Sequence, residues 1–141
     1  MNVPKIIHGE KYSDERGRLF FNNNFDVSPV KRIYFIENNS TEYIRGWTGH
    51  KIEQRWFTAS KGVFIIKLIE IDNWENPSKN SEILEFELSS EKLDILYMPS
   101  GYVSAIRAKE ENSKLLVMVN YSLGEINDEY RFPSDYFENI L

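Results

Sequence analysis

The chain has 141 residues, 41% of them hydrophobic and 14% aromatic, with a formal net charge of −5. Such a length and composition describe one folded domain spanning residues 1–141 and exclude a disordered chain. The acidic balance argues against a nucleic-acid backbone or an anionic membrane as the main partner, and the lack of cysteine excludes a disulfide framework or a thiolate site.

Met1 to Glu10 reads as an extended arm, with His8 an incidental surface residue. It has no long apolar core of the signal-peptide kind, and no later run approaches transmembrane length, so a soluble cytoplasmic protein is expected. Asp14-Glu15-Arg16-Gly17 is a turn signal, followed by a short strand at Leu19–Phe21 and an asparagine loop at 22–24. Val30 to Ile36 is rich in β-branched and aromatic residues and reads as a strand. Its alternation puts Arg32, Tyr34 and Ile36 on one face, and Lys31, Ile33 and Phe35 on the other.

The stretch Arg45 to Gly62 carries the densest chemistry. His50 has Arg45, Lys51, Gln54 and Arg55 around it in sequence, with Trp47 and Trp56 interleaved. Strict alternation puts Thr48 and His50 on one face, and Arg45, Trp47 and Gly49 on the other. Lys61-Gly62 reads as a hairpin turn, because glycine accepts the positive φ such turns need. Val63 to Ile71 is apolar on both sides and is expected to be covered on both. Further strands follow at 83–88, 93–98, 102–108 and 114–121, with a polar loop at 72–81 and a tight turn at Pro99-Ser100-Gly101. The aromatic segment Asp128 to Leu141 packs against the body as a short strand or helix. Many short strands with almost no helical period point to an all-β barrel or jelly roll.

Read in order, these segments carry a resemblance. Arg45-Gly46, His50-Lys51 and Gln54 resemble the RGxHAHKxxxQ motif of the dTDP-4-keto-6-deoxyglucose 3,4-ketoisomerases, cupin jelly rolls akin to the dTDP-4-dehydrorhamnose 3,5-epimerases. Asp14 to Leu19 is similar to their DxRGxL, Lys31 to Ile36 to their KRxYxI, and Asp128-Glu129-Tyr130-Arg131 with Tyr136-Phe137 to their DDYIRxYxxF. The resemblance implies a cupin-type jelly roll, a homodimer, and a small-molecule nucleotide sugar as ligand. It also implies isomerisation or epimerisation of a dTDP-linked 4-keto-6-deoxy sugar by removal of a proton next to the ketone.

Two departures bear on the mechanism. The family's first motif histidine falls on Thr48, and the histidine of its PxGxxH segment falls on Ser104. One imidazole and one amide, His50 and Gln54, make a poor ligand set for zinc, iron or nickel, so no metal and no other cofactor is expected. His50 is then the candidate base, since an imidazole titrates near neutrality, and Tyr34 the candidate proton donor or relay. Arg16, Arg45 and Lys51 are the candidate diphosphate contacts, with Gln54 and Tyr121 as further substrate contacts. Trp47 or Trp56 offers a stacking face for a pyrimidine, against a rival place in the core or at an interface. Arg18, Arg32 and Arg55 read as solvated edge charges. The alternative is a non-catalytic cupin that binds a nucleotide sugar or carbohydrate, which Thr48 and Ser104 favour; a ligand-free architectural dimer would require an exposed Arg45 cluster.

Overall fold

A computed structural model describes residues 3–137, so Met1, Asn2 and the last four positions of the expected C-terminal segment lie outside the described residues. The strands run β1 (Lys5–Ile7), β2 (Glu10–Asp14), β3 (Gly17–Phe21), β4 (Arg32–Asn38), β5 (Ile44–His50) and β6 (Arg55–Lys61). They continue as β7 (Val63–Glu70), β8 (Leu84–Ser89), β9 (Ile95–Met98), β10 (Tyr102–Ala108), β11 (Ser113–Val119) and β12 (Glu129–Arg131). Two five-stranded antiparallel sheets, ordered β1-β9-β6-β11-β4 and β12-β5-β10-β7-β8, form the jelly roll, and β2–β3 stands apart as a two-stranded sheet. No helix long and apolar enough to cross a membrane occurs among the described residues.

Period-two alternation explains why these residues sandwich. Phe57 and Ala59 of β6, Phe64, Ile66 and Leu68 of β7, and Leu115 and Val117 of β11 project into one shared core. Each such large side chain contributes about 1.5–3 kcal/mol by leaving water. On β4, Tyr34 and Ile36 pack against that core, while Ile33 and Phe35 face outward, 62% and 56% exposed. The outer face of the second sheet holds Trp47, Ile69, Val103 and Ala105 under Phe137, with Phe132 and Tyr136 beside them. Trp47 and Trp56 are thus core residues: Trp47 meets Phe137 edge-on at 5.2 Å, and Trp56 stacks on Tyr97 at 5.6 Å.

Two sequence expectations are corrected here. Lys61-Gly62 is not a hairpin turn, because β6 pairs with β9 and β11 while β7 pairs with β8 and β10. It is a corner at which the chain leaves one sheet for the other, and Gly62, at φ 76°, lies so close to Ser113 that no Cβ fits. The second concerns β5. Ser104 pairs with Thr48 but Ile106 pairs with Arg45, so two steps along β10 span three along β5. That bulge shifts the alternation by one residue, and Arg45 joins Thr48 and His50 on the inner face.

Candidate functional site

Between the sheets lies a cavity of about 430 Å³. Tyr34 and Ile36 of β4, Arg45, Thr48 and His50 of β5, and Arg55 and Phe57 of β6 line it, with Ser104 and Ile106 of β10 and Glu129 and Arg131 of β12. A groove of about 390 Å³ on the outer sheet face and a cleft of about 610 Å³ beside Tyr102 and Glu70 contain no imidazole. The central cavity therefore has the convergent polar groups of a ligand site.

His50 ends β5 and is 3% exposed. Its strand neighbours are Tyr102 on β10 and Glu129 on β12. Burial pushes its pKa down, and the Arg55 guanidinium adds to this; the carboxylates of Asp128 and Glu129 and a backbone acceptor at Asp128 oppose it, leaving a value of about 4. The imidazole is thus neutral at physiological pH. His50 Nδ1 lies 3.5 Å from Glu53 Oε1, which lies 3.0 Å from Arg55 Nη1.

The loop after His50 is held from the far end of the chain. Asp128 accepts the backbone N–H groups of Lys51, Ile52 and Glu53 at 3.0, 2.8 and 2.8 Å. Asn120 accepts the N–H of Gln54 at 2.8 Å. A short loop with four backbone donors satisfied by side chains is rigid, and it fixes both His50 and Glu53.

The expected site residues divide. His50, Tyr34 and Arg45 come together in the cavity. Lys51 is exposed and lines no part of it. The Gln54 side chain accepts a hydrogen bond from the Tyr97 hydroxyl at 2.5 Å instead. Tyr121 lies under Lys31, with Nζ 6.0 Å from the ring centroid. Arg16 is on the β2–β3 turn, paired with Asp14 at 2.6 Å. Arg55, expected as a solvated edge charge, is 6% exposed and faces inward. Its position two before Phe57 on an alternating strand was the available signal. Glu53, Glu129 and Arg131 were not singled out as site residues; Glu129 and Arg131 enter because β12 pairs in register with His50 and Thr48.

Thr48 and Ser104 are direct cross-strand partners, with the Ser104 hydroxyl 3.5 Å from the Thr48 carbonyl oxygen. Among the described residues no three His, Asp or Glu side chains converge as metal ligands. What the arrangement supplies is a neutral base, a phenol and three guanidinium groups around one cavity. That set suits proton transfer on an anionic substrate.

No curated protein matches this chain. Among solved structures, a 3,4-ketoisomerase from Helicobacter canadensis is 23% identical, with 92% of this chain and 90% of that one covered at a TM-score of 0.71. A mutant of the 3,4-ketoisomerase QdtA from Thermoanaerobacterium thermosaccharolyticum, in complex with TDP-4-keto-6-deoxyglucose, is 22% identical over 92% of this chain and 87% of that one, at a TM-score of 0.69. A dTDP-4-dehydrorhamnose 3,5-epimerase from Sulfolobus tokodaii is 16% identical over 96% and 80%, at a TM-score of 0.74. At these identities the likeness shows the jelly-roll fold. The family model described as FdtA, WxcM-like, C-terminal, however, matches residues 2–140, so nearly the whole chain is accounted for by one family, and the protein belongs to it.

Proposed function

We propose that this chain is a metal-independent isomerase or epimerase of a dTDP-linked 4-keto-6-deoxy sugar. The observation that carries the reading is a neutral, buried imidazole, His50, opening on a cavity that also holds Arg45, Arg55 and Arg131. The substrate class comes from the structural neighbours, ketoisomerases and epimerases of such sugars. A C–H beside a ketone is already acidified. His50 removes the C3 proton, and the resulting enediolate spreads its charge onto the former carbonyl oxygen. Transfer of the C3 hydroxyl proton to the C4 oxygen, with protonation at C4, moves the ketone; protonation at C3 from the opposite face inverts that carbon instead. Tyr34 is the proposed donor. Arg45 and Arg131 hold the diphosphate, for which a planar guanidinium is well matched. The enzyme acts in the cytoplasm as a homodimer in this proposal.

The test is exchange in deuterium oxide with dTDP-4-keto-6-deoxyglucose. The parent incorporates deuterium next to the ketone. His50→Asn loses that exchange, a fall of about 10²–10⁴-fold, while still binding dTDP. Arg45→Ala weakens dTDP binding by about 1.5–3 kcal/mol. Exchange in His50→Asn at the parental rate would remove His50 from the mechanism. The Thr48–Ser104 pair favours a second reading, a binding module that has lost the family's other histidines; it gains if the parent binds dTDP but exchanges nothing.

A further inference from the structure

Behind His50 lies a buried chain of charges that the reaction outlined above does not use. Resting on the reading of His50 as the base, we propose that Glu53 is the positioning residue of the imidazole: its carboxylate takes the proton-bearing Nδ1, leaving Nε2 as the basic nitrogen, and Arg55 anchors that carboxylate. The three side chains are 4%, 9% and 8% exposed. His50 Nδ1, Glu53 Oε1 and Arg55 Nη1 are all buried, and none has a hydrogen-bond partner. A buried polar atom without a partner is costly. One acceptor between two donors answers all three needs at once. The 3.5 Å separation of Nδ1 and Oε1 is longer than a hydrogen bond, as catalytic contacts often are before substrate draws the site together.

The neighbouring acidic groups are committed elsewhere. Both Asp128 oxygens accept backbone N–H groups of the loop. Glu129 is half exposed and paired with Arg131 at 2.6 Å. Tyr102, the strand neighbour on the other side, is a phenol rather than a carboxylate. Besides the backbone acceptor at Asp128, Glu53 is the carboxylate left for the ring, and its backbone is pinned by Asp128 three residues after His50. A base whose proton sits on a fixed nitrogen points its lone pair in one direction, which is what orientation contributes to catalysis.

With only two histidines in the chain, the tautomer can be read directly. The full-length protein, labelled with ¹⁵N-histidine, is examined at pH 7.5 by long-range ¹H–¹⁵N correlation, and His8→Asn identifies the other ring. The parent shows His50 as the Nδ1–H form. Glu53→Leu together with Arg55→Met removes acceptor and anchor as a pair, so no lone charge stays buried. In that variant the tautomers mix and kcat for deuterium exchange falls about 10²-fold. Glu53→Gln, which keeps an acceptor oxygen, retains the Nδ1–H form and exchanges faster than the paired variant. An Nε2–H form in the parent overturns the proposal, as does a paired variant that keeps both the Nδ1–H form and the parental kcat. The parental spectrum needs neither substrate nor a folded variant. If the parent exchanges no deuterium, the functional reading fails, and the tautomer still decides the role of Glu53.

Discussion

His50 couples the chemistry of the site to the stability of the fold. Its pKa of about 4 in the folded chain compares with 6.5 for a free imidazole. Between those values the unfolded chain binds more protons than the folded one, so unfolding free energy rises with pH across that window. Folding is therefore unpenalised by His50 above about pH 6.5 and loses about 3 kcal/mol as pH falls to 4. The groups facing the ring, Glu53, Arg55, Asp128 and Glu129, stay in place in His50→Asn, and exposed carboxylates with lowered pKa values such as Asp14 and Asp72 are common to both proteins. Urea unfolding at pH 7.5 and 4.5 should show a larger acid loss in the parent than in His50→Asn. Equal acid sensitivity in the two would contradict the buried neutral state. The histidine itself was legible in the sequence, because it is the one imidazole among cations at close spacing. Its depressed pKa was not, since that depends first on burial between the assembled sheets and then on Arg55 facing inward, against the opposing Asp128, which lies 78 positions away along the chain.

At the level of elements, the strands of this jelly roll follow from local pattern. Tyr102–Ala108 was expected with the bounds it has, and β3, β4, β7, β8, β9 and β11 within a few residues, whereas β1 and β2 were not read as strands and the break between β5 and β6 was not placed. What alternation cannot reveal is which strands pair. A positive-φ glycine between two strands serves a hairpin and an inter-sheet corner equally well, and Gly62 makes the corner. A bulge leaves no mark on composition, yet the one in β5 decides that Arg45 enters the cavity. The same long-range logic governs the loop between β5 and β6, three of whose backbone donors are met by Asp128 at the entry to β12. Asp128→Ala leaves them without their acceptor and detaches the short strand β12 from the loop. Destabilisation of about 3 kcal/mol is expected, read as a lower urea midpoint at an unchanged slope. Asp128→Asn, which keeps one oxygen, should fall between that variant and the parent. A midpoint for Asp128→Ala matching the parent would mean that water replaces the carboxylate and that the loop is not held from β12.

At the scale of the whole molecule, the distribution of apolar surface bears on assembly. β4 is an outer strand of its sheet, and Ile33 and Phe35 on its outward face are 62% and 56% exposed. Leu19 and Tyr12 on the separate β2–β3 hairpin are 60% and 58% exposed. Single exposed apolar residues are ordinary, but an apolar pair along an open strand edge invites pairing with a second chain. The homodimer proposed above would cover it. Light scattering at micromolar concentration is then expected to give the mass of two chains. Ile33→Lys together with Phe35→Lys should give the mass of one, with the far-ultraviolet circular dichroism unchanged because both side chains point away from the core. A parent that is monomeric at every working concentration would end the dimer proposal, and a double-lysine variant that stays dimeric would move the interface off β4. The two faces of this strand also link assembly to chemistry. Tyr34 lies between Ile33 and Phe35 and faces the cavity, so pairing on the outer face would hold in place the strand that presents the phenol. The monomeric variant should therefore exchange deuterium more slowly than the parent while binding dTDP through Arg45 as before.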